Sequence, residues 1–215
     1  HFSSAHCNQC PMGMKYIVEY LDRQTTPYIW VSHHAVYGTD EYTIPASNAI
    51  AMNYLGMNTV PSVAFNRSKQ DGLMVIGAWN IENLVVKDDT VAEASVMIEH
   101  QYDEVSRRLD VTVSGQVANR DRKEYLLSIL IKENRLVGKQ EDAYCSWKGA
   151  KWQEYMHPRV VRDFVTATFG DTVKVENQAY SYTTSYVVND DWVAENCCVV
   201  AYLTPLEKSP VINAD

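Results

Sequence analysis

Two cysteines separated by two residues, Cys7-Asn8-Gln9-Cys10, stand directly before Pro11 and a stretch of helical periodicity. That arrangement constrains the chain more than any other local feature. Cysteines at this spacing at the start of a helix can close a small disulfide. The unpaired N–H groups and positive dipole end of the helix stabilise a thiolate there. Pro11 suits the first helical turn, where its missing N–H is not needed. Such a motif is a redox site or the remnant of one. Fifty residues further on, Val60-Pro61 enters a short apolar run.

The chain changes periodicity near residue 90. Before it, helix-period and strand-period segments alternate. Met14, Ile17, Val18 and Leu21 share one helical face, and Thr25-Thr26-Pro27 ends that helix. Tyr28 to Val31 reads as a buried strand running into His33-His34. A polar loop through Gly38 and Asp40 leads to a second helix from Ser47, with Gly56 as its stop. Thr59–Phe65 and Leu73–Trp79 read as two strands of a hairpin.

After residue 90 the pattern is mostly period-two. The strand-like runs are 96–102, 109–118, 125–131, 179–188 and 198–203, and 125–131 is more continuously apolar, as a central strand is. One helix is expected among them. His157-Pro158 would start it, Val160, Val161, Phe164 and Val165 would form its apolar face, and Gly170 would stop it. The expected organisation is an α/β domain over 1–89 and an all-β, immunoglobulin-like antiparallel sandwich over 90–215, with one inserted helix near 158–169.

Bulk properties narrow the function. The chain has 215 residues, 46% hydrophobic and 21% charged, which is the composition of a folded protein. Its net charge is −8 and its basic residues form no stripe, which excludes a nucleic-acid footprint. No apolar run approaches the roughly 18 residues of a membrane-spanning helix. The opening His1-Phe2-Ser3-Ser4 reads neither as a signal peptide nor as an initiation site, so an export signal or lipid-anchor cysteine is expected upstream. The count of five cysteines is odd, which argues against a fully paired framework. Cys197 and Cys198 are neighbours in a strand and must face opposite sides. A bridge from Cys145 to one of them stays open.

The order Cys-x-x-Cys-Pro, helix, strand, helix, X-Pro strand and hairpin partner resembles the thioredoxin fold over roughly residues 1–80. The resemblance implies that Val60-Pro61 is the family's cis X-Pro, lying against the Cys7–Cys10 disulfide where substrate backbone docks. The chain departs from that pattern in two ways. The strand that delivers the motif is truncated to His1-Phe2 or lies upstream, and the connection from His33 to Pro45 is long. The whole chain resembles the 28-kDa outer-membrane protein family of Bacteroides-type bacteria, which are exported lipoproteins. The stretches that carry this likeness are His157-Pro158-Arg159-Val160-Val161-Arg162 before Phe169-Gly170, and Trp192 with Asn196-Cys197-Cys198-Val199-Val200-Ala201-Tyr202. It implies the cell envelope, associated with the outer membrane on its periplasmic or surface side.

Two functions compete at the motif. In thiol–disulfide exchange on envelope proteins, Cys7 is the attacking thiolate and Cys10 the resolving thiol. Pro61 lies beside them, Val60 meets the substrate backbone, and His6 stabilises the thiolate. In the alternative, a surface-binding or adhesin-like module keeps the Cys7–Cys10 disulfide as a structural link. The partners are accordingly protein thiols or disulfides, or an envelope or surface protein; the membrane is reached only through an upstream anchor. No cofactor is implied. Cys7, Cys10, His6 and His33-His34 supply too few paired ligands for a structural zinc site, so no metal is assigned. His157 reads as a capping or packing residue, His100 as a surface residue, and Trp147, Trp152 and Trp192 as core or sheet-face aromatics.

Overall fold

In a computed structural model, residues 1–70, 72–83, 92–143, 151–206 and 208–215 are described. In chain order the elements are β1 (Phe2–Ser3), α1 (Cys10–Leu21), β2 (His33–His34), α2 (Pro45–Asn48), β3 (Ser62–Val63), β4 (Ile76–Gly77), β5 (Met97–Asp103), β6 (Arg108–Gln116), β7 (Glu124–Glu133), β8 (Leu136–Glu141), β9 (Lys151–His157), β10 (Val160–Phe164), β11 (Asp171–Lys174), β12 (Ala179–Val187), β13 (Cys197–Thr204) and β14 (Asn213–Ala214). The chain is mostly β, with few helices. It divides into two units: residues 1–89 with 134–162, and residues 90–133 with 163–215.

The first unit is built on very short strands. β1 pairs in parallel with β2 (Phe2 with His33, Ser3 with His34) and antiparallel with β3 (Phe2 with Ser62), and β3 pairs with β4. Helix α1 buries Cys10, Gly13, Ile17, Tyr20 and Leu21. This stripe is turned from the expected one, so Val18 is exposed and Tyr20 takes its place. Close approach explains the turn. A side chain on Gly13 would put its Cβ 2.6 Å from the Cβ of Pro61, so only glycine lets α1 lie against that ring. Trp30, Val63, Ala78 and Ile81 complete this small core.

Several expected elements are shorter or different here. Tyr28 and Ile29 are 47% and 44% exposed, and only His33 and His34 pair as β2. The partner strand has two residues and offers no more ladder. The second helix begins at Pro45 and continues from Ala49 to Tyr54 as a π-helix, in which Leu55 N–H donates to the Ile50 carbonyl. Asn66 and Arg67 adopt positive φ, and a 3-10 helix starts at Ala78, which cuts the expected hairpin strands to Ser62–Val63 and Ile76–Gly77.

Residues 134–162, expected within the sandwich, pack with the first unit. β8 and β9 form a hairpin with Leu136 opposite His157 and Gly138 opposite Tyr155. Cys145, Ser146 and Trp147 lie outside the described residues. The helix expected near 158–169 is instead strand β10. Arg159, at φ 56°, breaks any helical start after Pro158. Val160 then bridges Ser32 in parallel: Ser32 N–H donates to the Arg159 carbonyl, and Val161 N–H donates to that of Ser32. Adjacent buried residues such as Val160 and Val161 suit a helix face or a strand covered on both sides, and β-branching favours the strand.

The second unit has two antiparallel sheets. One runs β12-β6-β5; in the other, β7 lies between β13 and β11, with β14 beyond β13. Leu109, Val111 and Val113 of β6 share one buried core with Leu127, Ile129 and Ile131 of β7 and with Ala201 and Leu203 of β13. Tyr182 and Tyr186 donate their hydroxyls to Asp171 and Asp163. Cys197 is half-buried and Cys198 exposed, on opposite sides of β13.

Candidate functional site

The turn after β1 carries the cysteine pair. Cys7 N–H donates to the Ser4 carbonyl and Cys10 N–H to that of Cys7, which winds the segment into α1. Cys7 and Cys10 form a disulfide, with their Cα atoms 5.4 Å apart. Val60–Pro61 is a cis peptide, and the Val60 carbonyl oxygen lies 3.6 Å from Cys7 Sγ. Cys7, Cys10, Val60 and Pro61, distant in sequence, therefore meet at one place. His6 is exposed and faces Glu141, with Nδ1 3.8 Å from a carboxylate oxygen.

The pair is not open to solvent. Cys7 is 5% exposed and Cys10 2%. The β8–β9 hairpin accounts for part of this cover. Glu141 N–H donates to the Ala5 carbonyl and Ala143 N–H to that of Asn8, so the hairpin backbone brackets Cys7 on both sides. Between those bonds, the buried Gln140 side chain points its Nε2 at the carbonyls of Cys7 (2.9 Å) and Ser4 (3.2 Å). An amide nitrogen with two hydrogens thus pins the backbone at Cys7. Sequence reasoning missed Gln140, because it sits in an alternating strand and its partners lie more than 130 residues away.

A second polar cluster lies under the same hairpin. His34 Nδ1 and Asp40 Oδ2 are 2.7 Å apart, and both side chains are 2% exposed. Asp40 also accepts from the backbone N–H groups of Ala5 and Tyr42 and from the Thr43 hydroxyl. Burial alone would raise the Asp40 pKa. The bond and charge of His34, with the two backbone N–H groups, outweigh it and hold the carboxyl well below its usual range. His157 of β9 stacks edge-on to His34, and Tyr42 and Tyr155 flank it. Its Nε2 donates to the Lys139 carbonyl at 3.2 Å. Burial, then the charge of His34, lower its pKa to about 4. Burial, followed by a nearby carboxylate, pushes Tyr42 and Tyr155 up to about 12. On the other side of β2, His33 bonds Ser47. The sequence signal for this cluster was weak: a polar loop places Asp40 six residues after His34.

Among the described residues, no group of three His, Cys, Asp or Glu side chains is arranged to hold a metal ion, and no helix is long and apolar enough to cross a membrane. His100 is exposed, Trp152 half-buried with its Nε1–H on Asp142, and Trp192 buried.

Comparison with known proteins adds the following. No curated protein matches the chain. A solved domain of the outer membrane lipoprotein Omp28 from Porphyromonas gingivalis is similar at 17% identity and a TM-score of 0.35, over 60% of this chain and 88% of that one. The family described as outer membrane protein Omp28 matches residues 48–215, a span that holds Val60-Pro61 and the hairpin but not Cys7 or Cys10. That span is well over half of the sequence, and the chain belongs to the Omp28 family of outer-membrane-associated cell-envelope proteins.

Proposed function

We propose that this protein is a non-catalytic binding module of the outer-membrane-associated envelope, in which a thioredoxin-like unit keeps its Cys7–Cys10 disulfide as a structural link and an immunoglobulin-like sandwich forms the second unit. The observation that carries this reading is the burial of both cysteines, with the β8–β9 hairpin bonded to the backbone on either side of Cys7. Thiol–disulfide exchange needs an incoming thiolate to approach a disulfide sulfur, and its rate depends on access to that sulfur. The competing role, with Cys7 attacking, Cys10 resolving and Val60-Pro61 guiding a substrate strand, requires an accessible Cys7 sulfur, and Cys7 is buried. The partner is an envelope or surface protein, and a lipid group upstream of His1 provides the attachment to the membrane.

A trapping experiment at neutral pH tests the reading. Cys10→Ser leaves Cys7 as a single thiol. Incubated with oxidised envelope proteins, it should yield no mixed disulfide, and the wild-type protein should not accelerate insulin reduction by dithiothreitol. A trapped adduct through Cys7, or catalysed insulin reduction, would restore the oxidoreductase.

A further inference from the structure

We propose that the β8–β9 hairpin is an acid-sensitive cover, in which protonation of His157 releases strands β8 and β9 from the His34–Asp40 pair and uncovers the Cys7–Cys10 disulfide. Among the described residues, the contacts that hold the hairpin to the first unit include the backbone bonds of Glu141 and Ala143, the amide of Gln140, the His6–Glu141 contact and the ring cluster around His157. His157 is 2% exposed and sits at the end of β9, so the hairpin cannot lift without carrying it out to water.

The surroundings of that ring accept it only as the neutral form. From β2 it meets His34, which is bonded to Asp40. From the loop before α2 it meets Tyr42, whose ring stacks under the Arg162 guanidinium and whose neighbour is Glu41. From β9 it meets Tyr155, and from β8 the Lys139 carbonyl. His1, Ser3 and Ser32 line a small cavity beside it. The nearest buried carboxylate is already committed. Both Asp40 oxygens accept two donors each, from His34 and Ala5 on one side and from Tyr42 and Thr43 on the other. An imidazolium at His157 would therefore be a buried charge with no direct ion-pair partner among the described residues.

The packing also leaves little room for adjustment. A Cβ on Gly138, opposite Tyr155 in the hairpin, would lie 2.8 Å from Glu41 Oε1 and 3.2 Å from the Tyr42 ring.

The direction with pH follows from linkage. His157 titrates near 4 when covered and near its ordinary 6.5 when exposed. Above pH 6.5 both forms are neutral and closure is unaffected. Between about 6.5 and 4 only the open form takes up the proton, so closure weakens as pH falls, by about twentyfold between pH 7 and pH 5. His33, on the other side of β2 and also held well below its ordinary value by burial, reports general unfolding rather than lifting of the hairpin.

Hydrogen–deuterium exchange followed by mass spectrometry, corrected for the intrinsic pH dependence of exchange, separates these events. In the wild-type protein, protection over residues 136–143 and 151–157 should fall about twentyfold from pH 7 to pH 5, while α1 stays protected. His157→Gln, which retains a neutral donor for the Lys139 carbonyl, should abolish that pH response. His157→Phe, which retains the ring, should abolish it too. An unchanged response in both folded variants, or equal protection of the wild-type hairpin at the two pH values, overturns the proposal. Loss of protection in α1 together with the hairpin overturns it as well.

Discussion

The two units reach a folded state by different means. The second is a ladder protein: β6, β7, β12 and β13 are eight to ten residues long, and their inward residues Leu109, Val111, Val113, Leu127, Ile129 and Ile131 meet in one apolar core. The first has two-residue strands β1 to β4 and relies on particular contacts. Among these are the His34–Asp40 pair, the fit of Gly13 on Pro61, the Cys7–Cys10 link and the Gln140 amide on the Cys7 carbonyl. Apolar burial is roughly additive in area and tolerates substitution that preserves volume. Specific polar contacts are not so forgiving, because removing one partner leaves the other buried and unpaired. The first unit should therefore be the more fragile to single polar changes and the second to loss of apolar volume.

Substitutions can break that contrast. The largest expected effect is that of Asp40→Ala. It strips the acceptor from His34, Ala5, Tyr42 and Thr43 at once, and should cost more than about 3 kcal/mol, since each buried donor left unpaired costs roughly 1–3 kcal/mol. Calorimetry should show the loss in the first unit, and a cost under about 1 kcal/mol would mean that water replaces the carboxylate easily. Next comes Leu127→Ala at a fully buried position of β7. A cavity there should cost about 2–5 kcal/mol in urea unfolding of the second unit. Smallest is Gly13→Ala. Its new Cβ crowds the Pro61 ring and should cost about 1–3 kcal/mol, less the roughly 1 kcal/mol that alanine adds to helix propensity. A net gain in melting temperature would show that α1 can retreat from Pro61.

The contrast also explains what could be read in advance. Period-two alternation placed β6 and β12, and near-continuous apolar runs placed β7 and β13, to within a residue or two, because both patterns are local properties of the chain. Helix α1 was legible from its motif and periodicity, although Val18 was set on the wrong face. The same local logic failed at Val160, Val161 and Phe164, where spacing suited a helix and the pairing of Val160 with Ser32 made a strand. The meeting of Cys7 with Val60-Pro61 was expected only through the fold resemblance. The cover over the motif had no local signal, since Gln140, His157 and Ala143 act on residues more than a hundred positions away. Burial of Cys7 is a tertiary fact, and on it the choice between catalyst and structural link depends.

The reduction potential of the Cys7–Cys10 couple at pH 7, measured against a defined dithiol buffer, bears most directly on that choice. A covered structural disulfide should lie below about −300 mV and equilibrate slowly, whereas a potential between about −120 and −270 mV with rapid exchange would contradict the account and return the motif to redox catalysis.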